Sequence, residues 1–170
     1  MNRMIAIILV CFTVMFLSVG CERAKAAQDE ESQMVQLGNP WSEWNSIAET
    51  ESATDFTFEL PDMIADYYTA AEFRTMNNEL IEIVYKDQDG NFEVCVRKQK
   101  GEGQDISGDY NEYDTCNEEN FQGGTITVYN NTNNNSVKII ISYQGYSWAL
   151  MAPNGFQGDS NQEFLNHICQ

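Results

Sequence analysis

The densest group of chemically capable side chains lies in the stretch GEGQDISGDYNEYD, at residues 101–114. Carboxylates and tyrosine hydroxyls at this density can form the rim of a site for a cationic or polar ligand. The candidate rim residues are Asp105, Asp109, Tyr110, Glu112 and Tyr113. The same composition also predicts a purely structural loop, in which Asp side chains accept hydrogen bonds from nearby backbone amides and the tyrosines lie on a sheet. The structural interpretation is favoured because it needs no ligand.

Other patterns with catalytic or metal-binding potential are weak. His167 is the only histidine, and no G-x-S-x-G elbow accompanies it, so we expect it to lie at a helix end. The stretch DQDGNFE at residues 87–93 resembles part of a calcium loop, but Asp-Gly between two apolar runs is more typical of a hairpin turn. The cysteines lack the paired C-x-x-C spacing of a zinc site. The sequence therefore predicts no metal, no cofactor and no enzymatic activity.

The charge of the chain limits the kinds of partner that it can have. The formal net charge is −17 at neutral pH. Such a surface repels the phosphates of nucleic acids and the head groups of anionic lipids. We therefore expect no nucleic-acid partner, while a protein or small-molecule partner stays open.

The first twenty residues have the three-part form of a secretory signal. A short positive start at Asn2-Arg3 precedes a run from Met4 to Val19 that is almost wholly apolar, and small residues follow. The run is shorter than the roughly 18–25 apolar residues of a membrane-spanning helix. We therefore expect residues 1–20 to be an export signal.

Two cleavage signals compete behind this run. Gly20-Cys21 is typical of a lipoprotein signal, in which Cys21 is lipidated and becomes the first residue of the mature chain. Ala24-Lys25-Ala26 is typical of an ordinary signal-peptidase site, which would release a soluble protein that begins at Ala27. The favoured prediction is an outward-facing lipoprotein, anchored to the cell membrane by acyl chains such as palmitate on Cys21. The alternative is secretion after cleavage at Ala26.

The remaining chain divides into a linker and one domain. Residues 21–37 are polar, charged and poor in aromatic side chains, which predicts a disordered linker. Residues 38–170 are long enough for a single domain with a sizeable core. Three cysteines fall in this domain, and we expect a disulfide between Cys95 and Cys116, on strands that could be neighbours. Three free thiols are the alternative.

Alternating apolar residues predict two β-hairpins. In LIEIVYKDQDGNFEVCVRK, a four-residue loop at Asp87–Gly90 would form the pairs Tyr85–Phe92, Ile83–Val94 and Ile81–Val96. In VKIIISYQGYSWALM, a two-residue turn at Gln144-Gly145 would form the pairs Tyr143–Tyr146, Ile141–Trp148 and Ile139–Leu150. Upstream, the Asn-rich loop at residues 130–135 would align Val128 with Val137.

Two helices complete the predicted fold. Trp44, Ile47 and Ala48 fall at helical spacing. Ser42 could cap this helix, and Asn45 or Ser46 could do so a turn later. The C-terminal stretch SNQEFLNHI places Phe164, Leu165 and Ile168 at helical spacing, and Asp159 or Ser160 can cap this helix. The sequence therefore predicts an α+β domain: an antiparallel meander of about six strands, with an N-terminal and a C-terminal helix packed on one face of the sheet.

Four short motifs occur in the same order as in one known family: LGNPW at residues 37–41, DISGDYNEY at 105–113, GYSWAL at 145–150 and FLNHI at 164–168. On these motifs the chain resembles a domain of unknown function found in small exported lipoproteins of Gram-positive bacteria, related to a domain in the extracytoplasmic part of some anti-sigma factors. The resemblance covers almost the whole mature chain and implies lipidation of Cys21. It implies no catalytic residue. The chain departs from the family pattern at Ser18, where a lipoprotein signal prefers Leu, and in its three domain cysteines.

Three functions are compatible with these features. The favoured one is a non-catalytic binding or sensing module outside the cell. The second is a carrier that shelters an apolar ligand or lipid in a cavity between sheet and helices. The third, a hydrolase, would need paired acids in a pocket or His167 beside a nucleophile.

Overall fold

The computed structural model describes residues 39–121 and 123–170. The predicted export signal, the linker and the lipidation site Cys21 lie outside the described residues. Asn39–Gln170 forms one compact unit. Within the described ranges, no helix is both long enough and apolar enough to cross a membrane.

An antiparallel sheet of nine strands and two helices make up this part of the chain. The strands are β1 Trp41–Trp44, β2 Met63–Ile64, β3 Tyr68–Met76, β4 Leu80–Asp87, β5 Glu93–Lys100, β6 Thr115–Phe121, β7 Gly124–Asn130, β8 Val137–Tyr143 and β9 Tyr146–Ala152. The helices are α1 Ile47–Thr54 and α2 Ser160–Ile168. The predicted α+β class and antiparallel sheet are confirmed, but the estimate of about six strands is too low. The sequence pattern missed β1 and β2, which are short, and β6, whose residues are exposed on both faces and do not alternate.

The order of strands in the sheet is β1-β3-β4-β5-β9-β8-β7-β6, and β2 pairs with β3 beside β1. Two meanders therefore lie side by side: β3 to β5 form the first, β6 to β9 form the second, and β5 pairs with β9 where they meet. Since β6 lies at the far edge, the segment that joins β5 to β6 must cross three strands. This segment is residues 101–114, the acidic stretch of the sequence analysis.

The register of the β4–β5 hairpin differs from the predicted one by two residues. The observed pairs are Tyr85–Val94, Ile83–Val96 and Ile81–Lys98. Asp87 widens the turn, because its carbonyl accepts from the Gly90 amide and its side chain accepts from the Phe92 amide. A shift of two residues leaves each side chain on its expected face. The Asp87–Glu93 stretch is thus a hairpin turn, as the sequence predicted.

The β8–β9 hairpin has the predicted register, with the pairs Tyr143–Tyr146, Ile141–Trp148 and Ile139–Leu150. Gln144 and Gly145 have φ of 50° and 86°, the positive values that a two-residue hairpin turn needs. The β7–β8 pairing is again displaced by two residues, so that Val128 pairs with Ile139 and Asn130 pairs with Val137. In this loop the side chains of Asn131 and Asn134 accept hydrogen bonds from the amides two residues later, and β7 extends to Asn130.

The main core lies between the sheet and the two helices. Ile81, Ile83, Val94, Val96, Ile141, Trp148 and Leu150 are buried there. Ile47 of α1 and Phe164 of α2 pack against the same core, as predicted, and the Phe164 ring meets Tyr68 and Tyr85 edge-on. Ser46 caps α1 by accepting from the Glu49 amide. Trp44, expected in this helix, instead ends strand β1.

A second, smaller core lies on the opposite face of the sheet. Leu80 and Ala149 are buried there against Ile106, which comes from the 101–114 segment. Trp41 and Met151 pack around them. The crossing segment therefore covers the face that the helices leave open.

The predicted disulfide does not form, because its premise of neighbouring strands is wrong. Cys95 is on β5 and Cys116 is on β6, with β9, β8 and β7 between them. At about 4.8 Å per strand the two strands lie roughly 19 Å apart, whereas a disulfide joins Cα atoms at most about 7 Å apart. Cys95, Cys116 and Cys169 are free thiols.

Candidate functional site

Lys138 fixes one half of the crossing segment. It belongs to β8, and its ammonium is buried beneath the segment. Its Nζ lies 3.2 Å from Asp105 Oδ2 and 3.3 Å from the Asp109 carbonyl oxygen. The rings of Tyr113 and Tyr129 flank the ammonium, with centroids at 5.2 and 4.6 Å. A buried cation of this kind needs several partners, and the segment supplies most of them.

Arg97 of β5 fixes the other half. Its Nη1 donates to the carbonyl oxygens of Ile106 and Ser107, and its Nε donates to Glu82 Oε2 at 2.7 Å. Glu82 is buried and also pairs with Arg74, 2.8 Å from its other oxygen. The Glu82 carboxylate thereby locks the guanidinium of Arg97 in the position that holds the segment.

Local hydrogen bonds shape the segment between these two anchors. Asp105 Oδ1 accepts from the amide and the hydroxyl of Ser107, at 3.0 and 2.6 Å. Asp109 Oδ1 accepts from the Asn111 amide at 2.9 Å, and Asp109 Oδ2 accepts from the Tyr113 hydroxyl. This is the Asx-turn chemistry that the composition predicted for a structural loop. Three of the five candidate rim residues thus have partners within the segment itself.

The same contacts set the ionisation of these side chains. Desolvation alone would raise the pKa of Asp109. The hydrogen bonds from Tyr113 and Asn111 and the charge of Lys138 together lower it by more, so that the net shift is downward. The pKa of Asp105 is lowered too: burial opposes the shift, and the hydrogen bonds from Ser107 and Lys138 outweigh it. Desolvation and the Asp109 carboxylate raise the pKa of the Tyr113 hydroxyl. The two carboxylates are therefore anionic, and the phenol neutral, at neutral pH.

The fixed segment forms one wall of a cavity of about 390 Å³ at the end of the sheet where β5 and β8 begin and β9 ends. The β7–β8 loop forms the other wall. The lining residues are Glu93, Cys95, Asp109, Asn111, Glu112, Tyr113, Asn131, Asn134, Ser136, Val137, Met151, Ala152 and Pro153. We call this cavity the loop pocket.

The predicted rim residues divide into three groups. Asp109, Glu112 and Tyr113 line the loop pocket. Asp105 lies outside its lining and contacts Lys138 instead. Tyr110 is 96% exposed, the most exposed large hydrophobic side chain in the described part of the chain.

The loop pocket combines negative charge with an apolar floor. Its lining includes the three carboxylates of Glu93, Asp109 and Glu112 and no Lys, Arg or His side chain. Val137 and Met151 give it an apolar floor. Desolvation raises the pKa of the Cys95 thiol, which is therefore protonated at neutral pH and poorly nucleophilic. No group of three or more His, Cys, Asp or Glu side chains within the described ranges is arranged to hold a metal ion.

Several lining residues were not predicted from the sequence. Asn131 and Asn134 were interpreted only as turn residues, and Glu93 and Met151 only as strand residues. They reach the pocket because β5 and β9 are neighbours and the β7–β8 loop folds beside them. Strand order across the two meanders carries no local sequence signal.

A second cavity, of about 200 Å³, lies beside α2 and is lined by Lys98 and His167 among others. The buried Lys98 ammonium is 2.7 and 2.6 Å from the two oxygens of Glu59, and 2.7 Å from the Thr57 carbonyl. The Tyr146 ring lies 3.9 Å from it. Desolvation lowers the pKa of Lys98 despite the Glu59 contact. This lysine has a full set of partners, which indicates a structural role.

His167 lies in the last turn of α2, as expected for a residue at a helix end. Its ring lines the second cavity and makes no hydrogen bond with any side chain in the part of the chain that the structure describes.

Comparison of the chain with known protein families, with curated proteins and with solved structures finds no match.

The contact between Gly108 and Arg97 gives a direct test of the anchored segment. Gly108 has φ of +63°, and a Cβ there would lie 2.7 Å from Arg97 Nη1. We expect Gly108→Ala to displace Arg97 from the Ile106 and Ser107 carbonyls. The free energy of unfolding in urea should fall by about 2 kcal/mol beyond the cost of positive φ, the scale of a hydrogen bond to a charged group.

Gly103→Ala is the matched control for this substitution. Gly103 also has positive φ, at +73°, but a Cβ there would meet nothing within 4 Å. Both variants therefore carry the backbone strain of an alanine in the left-handed region, and only one carries the clash. Equal losses of stability in the two variants would contradict the Arg97 anchor.

The lowered pKa values of Asp105 and Asp109 predict how the segment responds to acid. A carboxyl group whose pKa is lower in the folded state contributes its full stabilisation above the unfolded value, here 3.8, and loses it as the pH falls through the folded value. The ring resonances of Tyr113 in NMR spectra should therefore stay constant from pH 7 to about pH 4 and shift below it. A transition centred near pH 6 would contradict this assignment.

Proposed function

We propose that this protein is a non-catalytic binding module, displayed outside the cell, whose ligand site is the loop pocket. The observation that carries the proposal is the pocket itself: about 390 Å³, with three carboxylates, an apolar floor and no basic side chain in its lining. A cavity of this size suits a small organic ligand. The binding site of such a module would also serve a sensing role.

The chemistry of the lining favours an organic cation with a short apolar body. Glu112 is exposed and makes no hydrogen bond with the described residues, so its carboxylate is free for a ligand. Asp109 adds negative charge, although both its oxygens already accept hydrogen bonds within the segment. Glu93 adds a further carboxylate, 3.9 Å from Lys86 Nζ, while Val137 and Met151 offer apolar contact. An ammonium group among these carboxylates gains charge-assisted hydrogen bonds. An anionic ligand would meet three carboxylates and no basic side chain in the lining.

The rigidity of one wall supports a binding role. Lys138 and Arg97 hold the segment in place before any ligand arrives. A preformed site loses less conformational entropy on binding than a flexible one. In this proposal, the segment at residues 101–114 has both a structural role and a role in ligand binding.

The packing of the interior favours this proposal over the carrier alternative. A carrier needs a deep apolar cavity between sheet and helices, and the centre of that space is occupied by large side chains, which leaves only open grooves along α2. Phe58, Tyr68, Tyr85, Trp148 and Phe164 are each at most 2% exposed. A hydrolase would need a general acid among the paired acids of a pocket, or His167 beside a nucleophile. In the loop pocket the pKa of Asp109 is lowered, the opposite of the shift that a general acid needs.

The proposed location outside the cell rests on the sequence. The apolar run ends at Gly20-Cys21, and the family resemblance implies a lipid on Cys21. A diacylglycerol carries two acyl chains, which is enough for stable membrane anchoring. The acidic domain would then stand off the membrane on the linker at residues 21–37.

Binding of 1,4-diaminobutane tests the pocket, with butane-1,4-diol as its uncharged counterpart. We expect the diamine to shift the NMR resonances of Asp109, Glu112, Val137 and Met151 and to saturate with a dissociation constant on the order of 1 mM, which corresponds to about 0.7 kcal/mol for each non-hydrogen atom and is within the range of small ligands. The diol should bind at least about tenfold more weakly, because it lacks the charge.

Glu112→Gln should weaken diamine binding several-fold, since it removes a carboxylate without changing the shape of the pocket. Glu79→Gln, in the exposed turn between β3 and β4, is the control with the same loss of charge. Shifts that spread over the whole acidic surface, or equal effects of the two variants, would refute the assignment.

The tether is tested separately, by expressing the full chain in a Gram-positive host. We expect the wild-type protein in the membrane fraction, with an intact mass that includes a lipid on Cys21, and the Cys21→Ser variant in the medium. Cys116→Ser is the control, because Cys116 is an exposed thiol of the folded domain. Wild-type protein that begins at Ala27 would establish the secreted alternative instead.

A further inference from the structure

The two edges of the sheet are built differently. At one edge, β1 has four residues and β2 has two, and the strand behind them carries a bulge between Ala70 and Glu72. Short strands and bulges prevent another strand from pairing with an edge. The opposite edge is β6, and no strand of the described part of the chain pairs with its outer side.

Strand β6 is well suited to accept another strand. Its seven residues pair with β7 in unbroken register, from Thr115 opposite Asn130 to Phe121 opposite Gly124. It contains no bulge, no Pro and no Lys, three of the devices that protect exposed edges, and its only charged residues are Glu118 and Glu119. All but Phe121 of its residues are exposed. No residue of ranges 39–121 and 123–170 forms a backbone hydrogen bond with the outward amides and carbonyls of this strand, which leaves them open to an added strand from another chain.

The negative charge of β6 favours basic side chains in an added strand. Glu118 lies on the sheet face covered by the 101–114 segment, and Glu119 lies on the face covered by the helices, while β6 and β7 carry no basic residue. A second copy of the chain, paired antiparallel about Glu118, would place the two Glu118 carboxylates opposite each other. Like charges at opposed positions destabilise a strand pair, and opposite charges stabilise it. The edge thus favours Lys or Arg in the added strand.

A groove beside β6 offers a place for apolar side chains. Its volume is about 520 Å³, and it is lined by Phe121 and Ile126 of the sheet and by Leu165 and neighbouring residues of α2. It lies on the helix-covered face of the sheet. An added strand with alternating side chains would direct one set toward Glu118 and the other set toward the face of Glu119 and this groove.

We propose that β6 is a strand-addition site for an extended segment of another protein, with basic side chains on the face of Glu118 and apolar side chains toward the groove at Phe121, Ile126 and Leu165. Backbone hydrogen bonds to the free edge would provide affinity, and the alternating side chains would provide specificity. This inference does not depend on the loop pocket, which lies beyond the Thr115 end of β6, whereas the groove lies at the Phe121 end.

The probe for this site is an acetylated and amidated octapeptide of alternating lysine and valine. We expect it to slow the hydrogen exchange of the outward amides of β6 and to leave the amides of the loop pocket unchanged. The same peptide with N-methyl groups along one edge should lose this effect, because it keeps its charge and loses its backbone donors.

Glu118→Lys should weaken binding of the lysine–valine peptide by about tenfold and improve binding of the matching glutamate–valine peptide. Glu79→Lys is the control, since it changes the net charge equally but lies in the exposed turn between β3 and β4, in the other half of the sheet from β6. The proposal is overturned if protection falls on the loop pocket instead of β6, if N-methylation has no effect, or if the two Lys variants behave alike. Self-association of the unliganded protein through β6 would overturn it as well.

Discussion

Two cations that rise from one face of the sheet, Lys138 and Arg97, hold an acidic segment of the chain in place across that face. The strand order demands such a crossing, because β5 ends in the middle of the sheet and β6 begins at its edge. A segment laid over a sheet has polar backbone groups that need partners. Lys138 and Arg97 supply donors to its carbonyls, and its own Asp and Ser side chains supply acceptors to its amides. The second core and the loop pocket both follow from this arrangement.

The outer surface is acidic because almost all Lys and Arg side chains of the domain are engaged in ion pairs. From residue 39 onward, six Lys and Arg residues stand against 22 Asp and Glu residues. Five of the six form ion pairs, and Lys100 donates to the Asp55 carbonyl. Three of them, Lys98, Lys138 and Arg97, hold distant segments together from within the fold. Little positive charge is left for the surface, so the loop pocket and the β6 edge are anionic.

Local patterns predicted what depends on local interactions. The Gln144-Gly145 turn has a specific backbone requirement, and its hairpin register was predicted correctly. Period-two alternation placed Ile81, Ile83 and Trp148 on the core face even where the β4–β5 register was wrong by two residues. The Asp chemistry of residues 101–114 was also predicted. The partner of Asp105 was not, because Lys138 lies 33 residues away. The Cys95–Cys116 disulfide failed for the same reason, since the order of distant strands decides it.

The claim that two cations anchor the crossing segment is tested most directly by amide hydrogen exchange at neutral pH. The amides of Ser107 and Asn133 make the same kind of bond, each to the side chain of an Asp or Asn two residues earlier. Only Ser107 lies in the anchored segment, while Asn133 lies in the exposed β7–β8 loop. Anchoring predicts exchange at Ser107 that is slower by at least about tenfold, since opening it requires breaking the contacts with Arg97. Equal exchange at the two amides would show that the Asp side chain alone holds the turn, and that the cations do not anchor the segment.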